Sequence, residues 1–169
     1  MANTFIPIAK AALTSTSTYV DFTGIPATFN NLYLVGSARG NSGVSQSIYI
    51  SVNYATTGYA STTFQGWETD GSATSYNTYA NMGAIPGASA GANIFNSFEC
   101  FIPNYGSSVN KIFNSYVVSS NNATTLNTAI RQTRGYLTDA NPVNSIRIVV
   151  SSTDFVSGTR FDLYGIKNT

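Results

Sequence analysis

Alternation of apolar and polar residues with a period of two recurs along the chain. Across residues 47–53, Ile48, Ile50 and Val52 share one face while Tyr49 and Ser51 take the other, the pattern of a half-buried strand. Residues 145–151 repeat it, with Ile146, Ile148 and Val150 inward and Arg147 outward, and residues 160–166 follow after a polar break. The break contains Ser157-Gly158, where glycine can supply the positive φ of a hairpin, so these two strands are expected to pair antiparallel. Further strands are predicted over residues 4–8, 17–22, 31–37, 61–67, 76–85, 94–102, 111–119 and 126–137.

Turn chemistry separates these runs. Gly24-Ile25-Pro26, Arg39-Gly40-Asn41, Pro86-Gly87, Pro103-Asn104-Tyr105-Gly106 and Ala140-Asn141-Pro142 combine residues that tolerate left-handed backbone with prolines that fix φ. The helix-friendly run from Ala9 to Leu13 is too short to stand alone among β-branched neighbours. The expected fold is therefore all-β: one domain over residues 1–169, an antiparallel β-sandwich, jelly-roll-like, with little or no helix. Two segments read as loops, the small uncharged stretch 83–92 and the polar tip 121–125.

Composition narrows the chemistry. Only 9% of the 169 residues are charged, whereas Ser, Thr and Asn together number 60, so polarity comes from hydroxyls and amides. Eight Lys and Arg against seven Asp and Glu leave a net charge of +1, which offers no basic footprint for nucleic acid or an anionic membrane surface. There is no His and one Cys, which removes intramolecular disulfides, thiolate zinc clusters, Ser-His-Asp triads and His-based acid–base catalysis. No metal or cofactor is expected. The first eight residues lack a cationic start and a long apolar run, so Sec-type export is not expected, and no apolar run approaches the ~18 residues of a membrane span.

A glycosidase needs only two carboxylates. Of the seven acids only Glu68 and Asp70 stand two apart, beside Trp67 and Tyr76 as a sugar-stacking platform; the sequence Thr69-Asp70-Gly71-Ser72 reads instead as an exposed acidic turn. Cys100 alternates in phase with Phe98 and Ile102 and is expected in the core. Glu99 and Lys111, on strands flanking the turn at 103–110, are expected to face each other as a cross-strand ion pair. Aromatics exceed what the inward faces need, and Tyr59, Phe64, Trp67, Tyr76 and Tyr79 are taken as candidate interface residues because Tyr and Trp bury apolar area while keeping a polar handle.

The order of motifs carries a resemblance. Phe22-Thr23-Gly24-Ile25-Pro26-Ala27-Thr28-Phe29-Asn30-Asn31-Leu32 leads into Gly36-Ser37-Ala38-Arg39 and Ile50-Ser51-Val52-Asn53; later come Phe101-Ile102-Pro103-Asn104-Tyr105 and the ending Arg160-Phe161-Asp162-Leu163-Tyr164-Gly165-Ile166. The series resembles small β-sandwich virion proteins of tailed bacteriophages. The resemblance implies a non-enzymatic capsid cement or decoration protein, made in the host cytoplasm and located on the capsid surface of the virion. Its implied partners are the major capsid protein and its own copies in a homotrimer, with neither nucleic acid nor membrane. The alternative it allows is a tail-fibre or receptor-binding tip recognising host surface glycan through Trp67 and Tyr76.

Overall fold

A computed structural model of the chain describes residues 4–66, 71–76, 79–120, 129–151 and 153–167. Twelve strands occur in the order β1 (Thr4–Ala12), β2 (Tyr19–Thr23), β3 (Asn31–Ser37), β4 (Ser45–Val52), β5 (Tyr59–Gly66), β6 (Gly71–Tyr76), β7 (Ala80–Pro86), β8 (Ser97–Pro103), β9 (Lys111–Ser119), β10 (Ala129–Leu137), β11 (Ser145–Val150) and β12 (Arg160–Lys167). No helix occurs among the described residues. The strands form an eight-stranded sheet, β1-β12-β3-β8-β9-β10-β5-β6, and a four-stranded sheet, β2-β11-β4-β7.

The antiparallel partners nest inside one another: β5 with β6, β4 with β7, β3 with β8, β2 with β11 and β1 with β12. Successive pairs alternate between the two sheets, as when a long hairpin is rolled up on itself, which is the jelly-roll plan. The hairpin β9–β10 is additional and joins β8 to β5 within the larger sheet.

Period-two patterning decides which side chains fill the space between the sheets. Leu32, Leu34, Phe98, Cys100, Ile102, Phe161 and Leu163 from the larger sheet meet Val20, Phe22, Ile48, Ile50, Ile146 and Ile148 from the smaller one. Phe155 joins them from the segment after β11 and packs edge-on against Phe161, with ring centroids 5.7 Å apart, while Phe161 meets Phe98 at 5.9 Å. In the middle of β5, β9 and β10 several inward residues, Ser61, Thr63, Ser115 and Thr133, are small and hydroxylated. Thr63 and Thr133 hydroxyls lie 2.7 Å apart, and the Ser115 hydroxyl donates to the Met82 carbonyl at 3.3 Å. These small side chains let β7 lie close, with a bulge at Met82–Gly83 where glycine takes φ 123° and a Cβ would stand 3.0 Å from Val117.

Several expectations are corrected. Residues 145–151 and 160–166 do not pair with each other: β11 lies between β2 and β4, whereas β12 lies between β1 and β3. The connection between them crosses from one sheet to the other, anchored by the buried Phe155, whose backbone bridges Ser17 and Gly40. Glu99 does not face Lys111 either. Glu99 stands opposite Tyr116 and accepts a hydrogen bond from the Tyr33 hydroxyl, while Lys111 points inward and is 1% exposed. Its ammonium donates to the carbonyls of Ser107 (2.7 Å), Val109 and Asp139 (3.3 Å), replacing the water it has lost. The strand predicted over 76–85 is two strands, with residues 77–78 outside the described set.

The stretch 83–92 is only in part a loop. Residues up to Pro86 belong to β7, and the following turns wrap around the Arg39 guanidinium, which donates to the carbonyls of Ala88 (3.2 Å), Ala90 (3.1 Å), Gly91 and Ile94 (3.5 Å). Tyr105 fixes another turn: its buried hydroxyl donates to the Pro26 carbonyl and accepts from the Phe29 N–H at 3.3 Å. The polar tip 121–125 lies outside the described residues.

Packing between β3 and β12 provides a stability test. A Cβ at Gly36 would stand 2.3 Å from Phe161 Cδ1 and 2.6 Å from the Arg160 carbonyl oxygen. Gly36→Ala is expected to lower the unfolding free energy by about 1–3 kcal/mol, read from urea denaturation; an unchanged midpoint would contradict this packing.

Candidate functional site

The outer face of the eight-stranded sheet carries a band of exposed apolar side chains on three neighbouring strands. β5 contributes Phe64, β10 contributes Ile130 and Tyr136, and β9 contributes Ile112, Tyr116 and Val118; their exposures run from 45% at Tyr116 to 60% at Ile130. The register brings them together. Ile130 is opposite Val118, Tyr136 is opposite Ile112, and Gln132 stands between Phe64 and Tyr116. With its amide oxygen turned toward them, Gln132 accepts from Arg134 Nε at 3.1 Å, Arg134 Nη2 at 2.9 Å and the Tyr116 hydroxyl at 2.9 Å. Arg134 thus lies at the band with its donors aimed at a neutral partner. Exposed apolar side chains of this kind, interleaved with Gln132 and Arg134 but poor in Lys and Glu, suit contact with another macromolecule.

Toward β12 and β1 the same face carries a ring cluster of Phe5, Tyr33 and Tyr164, with Phe5 53% exposed, and beside it a polar groove. This groove of about 280 Å³ is lined by Val35, Ser37, Ser97, Glu99, Arg160 and Asp162. Arg160 donates to Asp162 at 2.7 and 3.1 Å, and Tyr33 donates to Glu99. Burial and then the Glu99 contact push the Tyr33 hydroxyl up to about 12. Asp162 and Glu99 are separated by Val35 on the intervening strand, roughly 10 Å across two strand spacings. Each carboxylate is tied to its own donor, Glu99 to Tyr33 and Asp162 to Arg160.

On the opposite side, the outer face of the four-stranded sheet holds a different cluster. Arg147 on β11 is opposite Asp21 on β2, and its Nε and Nη2 each donate to the carboxylate at 2.7 Å. The hydrogen bonds to Asp21 hold the guanidinium pKa above its ordinary value. Its carbon lies 4.0 Å from the centre of the Tyr19 ring and 4.8 Å from that of Tyr54. Tyr49 and Tyr79 stand on the same sheet with ring centroids 6.0 Å apart.

The turn after β4 sets Tyr54. Asn53 and Tyr54 have φ of 50° and 57°, the left-handed region, which costs a bulky residue about 1–3 kcal/mol. Asn53 is held on both sides of its amide. Its nitrogen donates to Asp139 and to the Pro142 carbonyl at 3.1 Å each, and its oxygen accepts from the Asn144 N–H at 2.9 Å. Burial works to raise the Asp139 carboxyl, but hydrogen bonds from the Asn141 backbone, Asn53 and Asn141 side chains, together with the Lys111 charge, outweigh it and hold the group below the ordinary value of an aspartate.

The candidate residues read from sequence separate on this framework. Phe64 lies in the apolar band and Tyr79 on the opposite sheet. Tyr59 is corrected to a core residue: it is 3% exposed and its hydroxyl accepts from the Val52 N–H at 2.7 Å. The cause is parity, because Tyr59 shares the inward phase of Ser61 and Thr63, whereas Phe64 falls on the other side. Tyr76 ends β6 at the register position opposite Ser61, and its side chain lies outside the described set. Trp67, Glu68 and Asp70 also lie outside the described residues. Cys100 is buried, which pushes its thiol pKa up. Sequence reasoning missed Ile112, Val118, Ile130 and Tyr19, although each is an apolar residue in the outward phase of a strand.

No family model matches the chain, and no curated protein does. Among solved structures it is similar to the Caenorhabditis elegans galectin LEC-6, at 10% identity and a TM-score of 0.38, over 94% of this chain and 96% of that one. The sandwich described above rests on the strand pairing itself.

The Asp139 network has a testable pH signature. With the folded-state pKa below the unfolded one, the carboxylate stabilises the fold fully above the unfolded value and loses that contribution as pH falls through the folded value. Urea midpoints are expected to fall below about pH 4, and Asp139→Asn should lower stability at neutral pH by about 1 kcal/mol while flattening this acid limb. An acid limb of unchanged steepness in the variant would contradict the assignment.

Proposed function

We propose that this chain is a non-catalytic structural protein of a tailed-phage particle, a cement subunit that docks on the assembled head and bridges neighbouring coat subunits. The observation that carries this reading is the exposed apolar band on β5, β10 and β9, with Ile130 and Val118 at one end, Tyr136 and Ile112 at the other, and Phe64 and Tyr116 between them beside Gln132 and Arg134. The motif series of a virion sandwich supports it from the sequence side.

The mechanism is linkage. A subunit that binds the assembled lattice and not free coat protein stabilises the lattice by mass action, in proportion to the logarithm of its concentration over its dissociation constant. A rigid sandwich suits this role because its face loses little conformational freedom on docking. Cyclic trimers would match the local threefold positions of an icosahedral shell. The sparse charge of the band favours burial of aromatic and aliphatic anchors over ion pairing.

Separated heads and tails, compared by gel densitometry against the major coat band, should place the protein in the head fraction at hundreds of copies per particle, against tens at most for a tail-tip protein. Ile130→Lys, on an exposed position, should leave the unfolding midpoint unchanged while lowering particle occupancy at least about tenfold, the loss of roughly 1.4 kcal/mol or more of contact energy. Recovery in tails alone, or parental occupancy by the variant, would overturn the reading.

A further inference from the structure

The outer face of the four-stranded sheet carries an arrangement that neither the core nor the apolar band uses. Asn53 accounts for its own left-handed backbone, since its amide ties the turn to Asp139, Pro142 and Asn144. Tyr54 does not. Its φ of 57° disfavours a bulky side chain, and its ring is left 46% exposed, so burial does not offset the strain. A glycine would close the same turn without that cost. What the tyrosine gains is position: its ring centre lies 4.8 Å from the Arg147 guanidinium carbon, which also stands 4.0 Å from the centre of a second exposed ring, Tyr19, 45% exposed.

The cluster is also held rigid. Asp21 takes Nε and Nη2 of Arg147 at 2.7 Å each, fixing the plane of the guanidinium and cancelling its charge. Arg147 Nη1 has no hydrogen-bond partner among the described residues. The Tyr54 hydroxyl reaches Asp21 Oδ2 at 3.5 Å, and a carboxylate with about four acceptor positions keeps room for further donors.

We propose that Tyr19, Tyr54, Arg147 and Asp21 form a binding site for a neutral pyranose sugar. Arg147 lies against one face of each ring, and the negative π density of the other face of these half-exposed tyrosines attracts the weakly positive C–H faces of a pyranose ring. Arg147 Nη1 supplies donors and Asp21 supplies acceptors, which suits a pair of neighbouring hydroxyls that each donate and accept. The Arg147–Asp21 pair has no net charge, so a phosphate, sulfate or carboxylate gains no net attraction there, and the neutral sugar is favoured over an anionic one. The site lies on the sheet opposite the apolar band and does not depend on where the protein sits in a particle.

The test uses the purified full chain and methyl glycosides of glucose, galactose, mannose and N-acetylglucosamine at about 10 mM, roughly ten times a millimolar dissociation constant. In NMR spectra with labelled tyrosine and arginine, at least one glycoside should shift the Tyr19 and Tyr54 rings and the Arg147 Nε resonance together. Tyr54→Gly should weaken that binding at least about tenfold while the unfolding midpoint stays level or rises, because glycine relieves the strained φ. Tyr54→Phe should retain most of the binding. The proposal is overturned if none of the glycosides shifts these resonances, if Tyr54→Gly binds as the parent does, or if a sulfated glycoside binds better than its neutral form. It is also overturned if the same rings shift with protein concentration alone, which would mark a contact between copies. None of these outcomes bears on particle occupancy, so the cement reading stands or falls separately.

Discussion

Alternate side chains of a strand point to opposite sides, and in a rolled sandwich only one of those sides can be buried against the other sheet. Here eight strands face four, so the larger sheet presents a broad outer surface that nothing in the described chain covers. With 9% of residues charged, that surface is dressed with hydroxyls, amides and, across β5, β10 and β9, with apolar groups. Water is poorly accommodated by such a band, and a partner that displaces it gains the apolar area. The same alternation that builds the core from Leu34, Phe98 and Phe161 therefore also sets Phe64, Ile130 and Tyr116 on the outside.

Much of the fold was legible because the period-two signal depends only on local burial. The strands at 31–37 and 111–119 have the predicted limits, and the inward sets Ile48, Ile50, Val52 and Ile146, Ile148, Val150 are buried. What local pattern cannot carry is pairing. The glycine before β12 suggested a hairpin with β11, yet the nested order sends those strands to different sheets, and Phe155 fastens the crossing. Nor does charge complementarity identify partners: Lys111 found backbone carbonyls and Glu99 found a tyrosine hydroxyl. β6 escaped notice because its sequence, Gly71 to Tyr76, is small and hydroxylated and reads as a turn.

The candidate surfaces were legible only by parity. Tyr59 and Phe64 lie five residues apart on one strand, so they cannot share a face, and the alternation already assigned one of them to the core. Arg147 was placed outward correctly, but its partners Tyr19, Asp21 and Tyr54 come from two other elements and could be assembled only by the register of β2 against β11 and by the left-handed turn after β4. Arg39 is a similar case. A single side chain organises the turns after β7 through four carbonyls, and carbonyl acceptors leave no mark in a sequence.

The central claim is that one outer sheet face docks while the opposite one stays open. Hydroxyl-radical footprinting of the protein, free and on intact particles, reads this directly from side-chain oxidation. The account predicts that Phe64, Tyr116 and Tyr136 become protected on the particle while Tyr19 and Tyr54 stay as reactive as in the free protein. Equal oxidation of the first three residues in both states, or protection confined to Tyr19 and Tyr54, would contradict it.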